Sequence, residues 1–294
     1  MQGVKASAAP RAGLLGNPSD LYGGRGIGFA FREFSAQVDL DAAARISLDL
    51  DLLQAAWQVL RAHAAFPERP FTARWSSDIP RQAGLSGSSA LVLAFLRAAT
   101  AWHDLHLSPM ELARLAWRAE NEILGIRAGP MDRLVQAFGG LVAMDFAEPM
   151  SVERLAPALL PPLFIAWDAA PGQSSGAVHA PVYERWQQGD PAVRAVIAEY
   201  RPLVARGLDA LRARDLPTLC ACVNRNFDLR AQLFPIAPRD RQMIDLGRAH
   251  GAATKFCGSG GAVLVVTTRV ADLRKTYEAA GFPTLIPTLS APCT

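Results

Sequence analysis

PRQAGLSGSSALVLAFLRAATAWH, residues 80–103, runs from a glycine- and serine-rich turn directly into a stretch that is apolar on nearly every side. Such a stretch reads as a helix buried between layers. The turn at 84–89 therefore feeds a helix N-terminus. Successive amides point outward there, and glycines let a ligand approach with no Cβ in the way, which together make a place for phosphate. The serines could add one hydroxyl to phosphate and another to a metal ion. An ordinary flexible turn has the same composition, and the Gly-Lys-Ser/Thr of the usual P-loop is absent.

Working outward, residues 26–40 and 46–53 alternate apolar and polar and predict adjacent strands. Downstream, Ser108 and Glu111 form a capping box, Pro109 takes the first helical position and Gly125 closes the end. The apolar stripe of this helix is Leu112, Leu115, Ala116, Ala119 and Ile123. At about 100° per residue, Glu120 and Glu122 fall about 80° to either side of it, so both carboxylates should border the core while Asn121 points away. The stretch 147–162 has several prolines and no steady period, which places a soft boundary between a half at 1–155 and a half at 156–294. The second half reads as helices over about 190–213, 215–234 and 239–250, a strand-loop-strand over 253–268, a helix over 270–280 and a final strand.

Composition narrows the class. In 294 residues, 50% are hydrophobic and 19% charged, so the chain is globular, with one large domain or two modest ones. The net charge is +3 and the basic residues are spread along the chain, leaving no nucleic-acid footprint. Four cysteines without a Cys-x-x-Cys pair suit a reducing, cytoplasmic setting. No apolar h-region opens the chain and no run reaches about 18 apolar residues, so neither a signal peptide nor a membrane partner is expected. The five histidines show no metal spacing and read as surface or core residues, and Trp57 and Trp75 read as packing before adenine contacts.

Three further segments bear polar groups near glycines. Lys255-Phe-Cys-Gly-Ser-Gly-Gly-Ala262 lies between probable strands and carries one of the few lysines; alone it could be a hairpin turn. Ala128-Gly-Pro-Met-Asp-Arg133 sets an aspartate beside an arginine, as helix starts often do. Arg11 with Gly16-Asn-Pro-Ser-Asp20 could be an Asx-type turn.

Their order and spacing together resemble the superfamily named after galactokinase, homoserine kinase, mevalonate kinase and phosphomevalonate kinase. Arg11, Gly16, Ser19 and Asp20 match its first motif, Pro80 to Ala90 its phosphate loop, and 257–262 its C-terminal glycine-rich loop. Within it, the glucuronokinases look most similar, through Asn17-Pro18, Gln82 to Ser89, Gly125 to Gly129 with Asp132-Arg133, Asn226 to Arg230, and Ala253 to Phe256. Galactokinase-like members have Glu-His where this chain has Asn17-Pro18.

The resemblance implies an α+β fold of two halves, a ribosomal S5 domain 2-like N-terminal one and a ferredoxin-like C-terminal one, with the active site between them. It implies that ATP phosphates lie on Gly84, Leu85, Ser86, Gly87, Ser88 and Ser89, and that Mg2+ is held by Ser89 and Glu120, with Glu122 the alternative. Asp132 would orient and deprotonate the acceptor hydroxyl and Arg11 would stabilise the oxygen. Asn17, Ser19, Asp20, Gly258, Ser259 and Gly260 would line the substrate. A sugar acid needs a cation for its carboxylate; Arg133, adjoining Asp132, is placed ahead of Arg25 and Arg230. The expected reaction is ATP plus D-glucuronate giving ADP and the 1-phosphate, by a monomer or homodimer. Galacturonate, heptose, N-acetylhexosamine or mevalonate-type kinases, and a non-catalytic nucleotide-binding module, are the alternatives.

Overall fold

The protein is described by a computed structural model covering residues 3–169 and 175–293, with backbone alone for 175–178. Its first half builds two antiparallel sheets. Strands β1 (Val4–Ala8), β4 (Ala36–Ala42) and β5 (Phe71–Ser77) pair in the order β1-β4-β5. Strands β2 (Arg11–Leu15), β3 (Arg25–Ala30), β6 (Leu141–Asp145) and β7 (Ser151–Leu155) pair in the order β2-β3-β6-β7. The expected strand pair is thus corrected. Residues 26–40 contain two strands that belong to different sheets, and 46–53 forms none.

Residues 46–50 contribute only an isolated bridge, Ser47 to Thr72, before helix α1 (Asp51–His63) begins. Alternation over a few residues lost to a helical repeat that buries Leu53, Ala56 and Leu60. Strand β7 lies inside the proline-bearing stretch read as patternless, and pairs Leu155 with Leu141.

Helix α2 (Gly87–Trp102) is enclosed as its apolar circumference requires, with every residue from Ser89 to Leu96 buried. Helix α3 (Pro109–Arg118) starts on the expected Ser108–Glu111 capping box. It then widens into a π-helical turn at Ala119–Ile123, closed by the Leu124 amide donating to the Ala119 carbonyl. A wider turn breaks the 100° register. Glu120 consequently goes fully inside, while Glu122 swings out to an ion pair with Arg118, against the expectation that both border the core. Helix α4 (Met131–Phe138) follows.

After β7 the chain enters a third sheet. Strand β8 (Leu163–Trp167) is followed by helices α5 (Ser175–Gln187), α6 (Pro191–Ala213), α7 (Leu216–Leu233) and α8 (Pro238–Ala249), strands β9 (Ala253–Phe256) and β10 (Ala262–Val266), helix α9 (Val270–Ala279) and strand β11 (Thr284–Leu285). The antiparallel order β11-β8-β10-β9 is that of a ferredoxin-like sheet, as the resemblance implied.

Helix α5 had no counterpart in the sequence reading. Pro181 interrupts its pattern, and aromatic contacts of Tyr183 and Trp186 with Tyr22 seat it on the first half. One hydrophobic cluster runs through both halves, joining Leu14 and Ile27 to Ile165, Val204 and Leu264. Gly207 of α6 shows how close they pack, since a Cβ there would collide with Leu15 of β2.

Candidate active site

The two glycine-rich loops meet backbone to backbone. A Cβ on Gly84 would run into the Gly260 carbonyl, and one on Gly258 into the Gly84 carbonyl. Residues Gln82, Gly84 and Ser86 all have positive φ, at 54°, 68° and 63°, before α2 begins. Alternating left-handed residues at a helix start turn successive amides toward one side, the geometry of an anion-binding nest.

Arg11, the first residue of β2, ties this loop to the start of α4. It is 4% exposed, and its Nε donates to Asp132 Oδ1 at 2.6 Å while Nη1 donates to the carbonyls of Gly84 at 2.7 Å and Cys257 at 3.2 Å. The Ser86 hydroxyl donates to the other Asp132 oxygen at 2.6 Å. Burial alone would raise the Asp132 carboxyl. The charges of Arg11 and Arg133 and the bonds from Arg11 and Ser86 prevail and hold it at about 2.

A second array lies deeper. The Ser89 hydroxyl donates to Glu120 at 3.2 and 3.0 Å to its two oxygens, and Arg133 Nε donates to Oε2 at 2.6 Å. Arg133 Nη1 donates to the Gly129 carbonyl at 2.9 Å. Burial would weaken the guanidinium's hold on its proton, but Glu120 and Asp132 push its pKa up instead. No group of three or more His, Cys, Asp or Glu side chains able to hold a metal occurs among the described residues. A hydroxyl and a carboxylate are nevertheless a hard-oxygen pair of the kind magnesium accepts when phosphate and water complete its shell.

The cleft in front of these arrays is lined by Arg11, Asn17, Asp20, Asp132, Arg133, His179, Arg230, Gly258 and Ser259 among others. Not every expected substrate residue faces it. Asp20 does, with Oδ2 accepting from the Met131 amide at 3.2 Å. Burial and the charge of Asp132 raise its pKa to about 6. Asn17 lines the cleft with its amide already engaged, Oδ1 accepting from Lys255 and Nδ2 donating to the Gly258 carbonyl.

Ser19 is a correction. It is fully buried behind the turn, and its hydroxyl donates to the Arg25 carbonyl because Gly24 leaves room for it. Gly260 likewise packs against Gly84 and lies outside the cleft lining. Arg25 is also corrected, for it sits opposite Asp145 across β3 and β6 and pairs with it at 2.8 Å, outside the cleft. The arginines differ in what already holds them. Arg133 is committed to Glu120, whereas Arg230 is 2% exposed, gives Nη2 to the Ser259 carbonyl at 2.6 Å, and has Nε and Nη1 unpartnered.

Two side chains here were given no role from the sequence, although Lys255 was singled out as one of the few lysines. Lys255 Nζ donates to the Gly13 and Phe256 carbonyls and Asn17 Oδ1, each at 2.6 Å, and so fixes the floor on which Asn17 stands. Burial brings its pKa down to about 7. A lysine inside the apolar strand pattern Ala253-Thr-Lys-Phe256 was the available signal. His179, on the unforeseen α5, had none.

A helix start with the geometry of an anion nest, joined by hydrogen bonds to a part-buried aspartate and a buried arginine, has the parts that phosphoryl transfer requires: a cradle, a cation and an oriented acceptor group. The class is that of phosphotransferases acting on an alcohol group. Residues 51–140 match the family of GHMP kinases N terminal domain. Glucuronokinase 1 of Arabidopsis thaliana is 34% identical, covering 96% of this chain and 91% of its own length, and probable glucuronokinase 2 of the same plant is 35% identical over 87% and 82%. The galactokinase of Lactococcus lactis complexed with galactose superposes with a TM-score of 0.82 over 99% of this chain and 93% of its own, at 15% identity, a likeness of fold. The chain belongs to the GHMP kinase family.

Proposed function

We propose that the chain transfers the γ-phosphoryl group of ATP to the anomeric hydroxyl of D-glucuronate. The observation that carries this reading is the bonded path from Ser86 of the phosphate loop through Asp132 to Arg11. Those three groups bring a phosphate cradle and an acceptor site into one array. The names of the full-length relatives support the sugar.

The anomeric oxygen attacks the γ-phosphorus, the bond to the bridging oxygen breaks and ADP leaves. The hydroxyl proton passes to Asp132. A carboxylate held at about 2 is a weak base. That is tolerable, since phosphoryl transfer asks mostly for positioning and charge stabilisation and the proton moves late. Arg11 steadies Asp132 and the oxygen that loses the proton. Asp20 accepts a sugar hydroxyl from the other side of the cleft. Ser89 and Glu120 would hold magnesium, with Arg133 sharing the carboxylate; when bound, the ion supplies positive charge to the phosphates. The division into halves at 155/156 belongs to the same reading, with the loop at 257–262 contributed by the second.

The test is ADP release by purified protein over D-glucuronate, D-galacturonate, D-galactose, D-glucose and mevalonate. D-glucuronate should give the highest kcat/KM, and the product should carry phosphate at the anomeric carbon. A better rate on any other of the five sinks the assignment.

A further inference from the structure

We propose that Arg230 and His179 together form the subsite that reads the substrate's carboxylate, and that this pair sets the preference for an acidic over a neutral sugar. The substrate class rests on the D-glucuronate reading above.

Arg230 reaches the cleft from α7 and packs against two aromatic rings, its Cζ lying 4.6 Å from the centre of the Phe234 ring and 5.2 Å from that of Phe256. Among the described residues no carboxylate forms an ion pair with it, although Arg11 and Arg133 each have one. Removal from water pulls its pKa down to about 10, so the free protein holds a cation at a cost. A guanidinium so buried is left with unmade bonds unless an anion arrives, and the one suited to a planar fork is a carboxylate or phosphate.

His179 packs against the same ring, Phe234, that supports Arg230. Its ring stands edge-on to Phe234 with centroids 5.4 Å apart, it is 9% exposed, and its Nδ1 has no partner. Burial, with the charge of Arg230, holds the ring down to about 3, so it is neutral near pH 7. A neutral imidazole can donate one N–H to a carboxylate without adding a second buried charge. Phe234 thus braces a charged donor and an uncharged one in the cleft that also contains Asp132 and Arg11. A sugar acid with its reacting hydroxyl at Asp132 would turn its carboxylate to this pair.

The test uses the full chain and three variants, Arg230→Gln, Arg230→Lys and His179→Ala, each first checked for a native melting transition. Each is titrated calorimetrically with D-glucuronate, D-glucuronamide and D-glucose 6-phosphate, and the acid and amide are compared as substrates. The native protein should favour acid over amide by about 100-fold in kcat/KM, as expected when a buried charge pair loses one member. Arg230→Gln should bring that ratio close to one, His179→Ala should reduce it about 10-fold, and Arg230→Lys, which keeps charge without the fork, should fall between.

A ratio that survives in all three variants while the native protein still phosphorylates D-glucuronate overturns the subsite and leaves the substrate reading intact. Preference for D-galacturonate, with its acid-over-amide ratio lost in Arg230→Gln, upholds the subsite and removes D-glucuronate. Tighter binding of D-glucose 6-phosphate than of D-glucuronate, or variants that shift only KM for ATP, overturns the carboxylate assignment.

Discussion

The cleft has two walls, and they treat buried charge in opposite ways. On the phosphate-loop wall each ionic group is engaged: Asp132 with Arg11 and Ser86, and Glu120 with Arg133 and Ser89. On the facing wall, built by α5 and α7, the Nε and Nη1 of Arg230 and the Nδ1 of His179 have no partner. A paired array keeps its geometry whether or not ligand is present, which suits chemistry common to all substrates. An unpaired cation is completed only by a ligand, so under the carboxylate subsite proposed above that wall would discriminate. The difference separates what a kinase needs in order to transfer phosphate from what it needs to select an acceptor.

The largest expected effect breaks the paired wall at its centre. Asp132→Asn should lower kcat by about 1000-fold with a much smaller change in KM, since a positioned proton acceptor contributes in that range. Steady-state kinetics on the preferred sugar checks it, and a loss confined to KM would make Asp132 a mere binding group. Next comes Glu120→Gln, which strands the Arg133 charge. Breaking a buried pair from one side should cost about 3 kcal/mol of unfolding free energy, read from urea denaturation.

Acid should produce a third, smaller effect. The Asp132 carboxyl sits at about 2 in the folded chain against 3.8 for the free group, so its ionised form is favoured by folding. That stabilisation, about 2 kcal/mol, is complete above pH ~4 and disappears as pH falls through about 2. Denaturant titrations at several pH values should show native protein losing more stability over this window than Asp132→Asn; parallel curves would contradict the pairing. Last, Arg230→Gln should leave the unfolding free energy within about 1 kcal/mol of native or raise it, because an unpaired buried cation contributes little to stability. A melting point depressed as far as that of Glu120→Gln would erase the contrast between the walls.

The paired wall was the more legible one. Gly84 to Ser89 is a contiguous motif, and Arg11 and Asp132, 121 residues apart, belong to separate short motifs whose order along the chain carried the family resemblance. Glu120 was chosen over Glu122 only through the family's spacing, because the π-helical turn that sends Glu122 to solvent leaves no mark in a 100° helical wheel. Ser19 was carried over as a substrate contact from the family's first motif, and Arg25 was one of three arginines offered for the sugar carboxylate. Their actual partners, the Arg25 carbonyl and Asp145, come from turn geometry and cross-strand register. In the fold, α2 and the capped start of α3 were readable from local pattern, while α5 escaped because its interior proline and weak pattern hide a helix held by contacts to Tyr22.

The sequence by itself determined that a glycine-rich loop starts a buried helix, that Asp132 and Arg11 belong with it, and that the chain is of the GHMP kinase kind. The first depends on residue type and on neighbours a few positions away, and the other two on the resemblance of several short motifs, in their order, to the family. Only the tertiary structure decided which arginine is left without a carboxylate among the described residues. Arg25, Arg133 and Arg230 are alike in chemistry, and what separates them is whether folding brings a carboxylate to each: Asp145 across a strand pair, Glu120 from the π-helical turn, and none of the described acidic groups to Arg230.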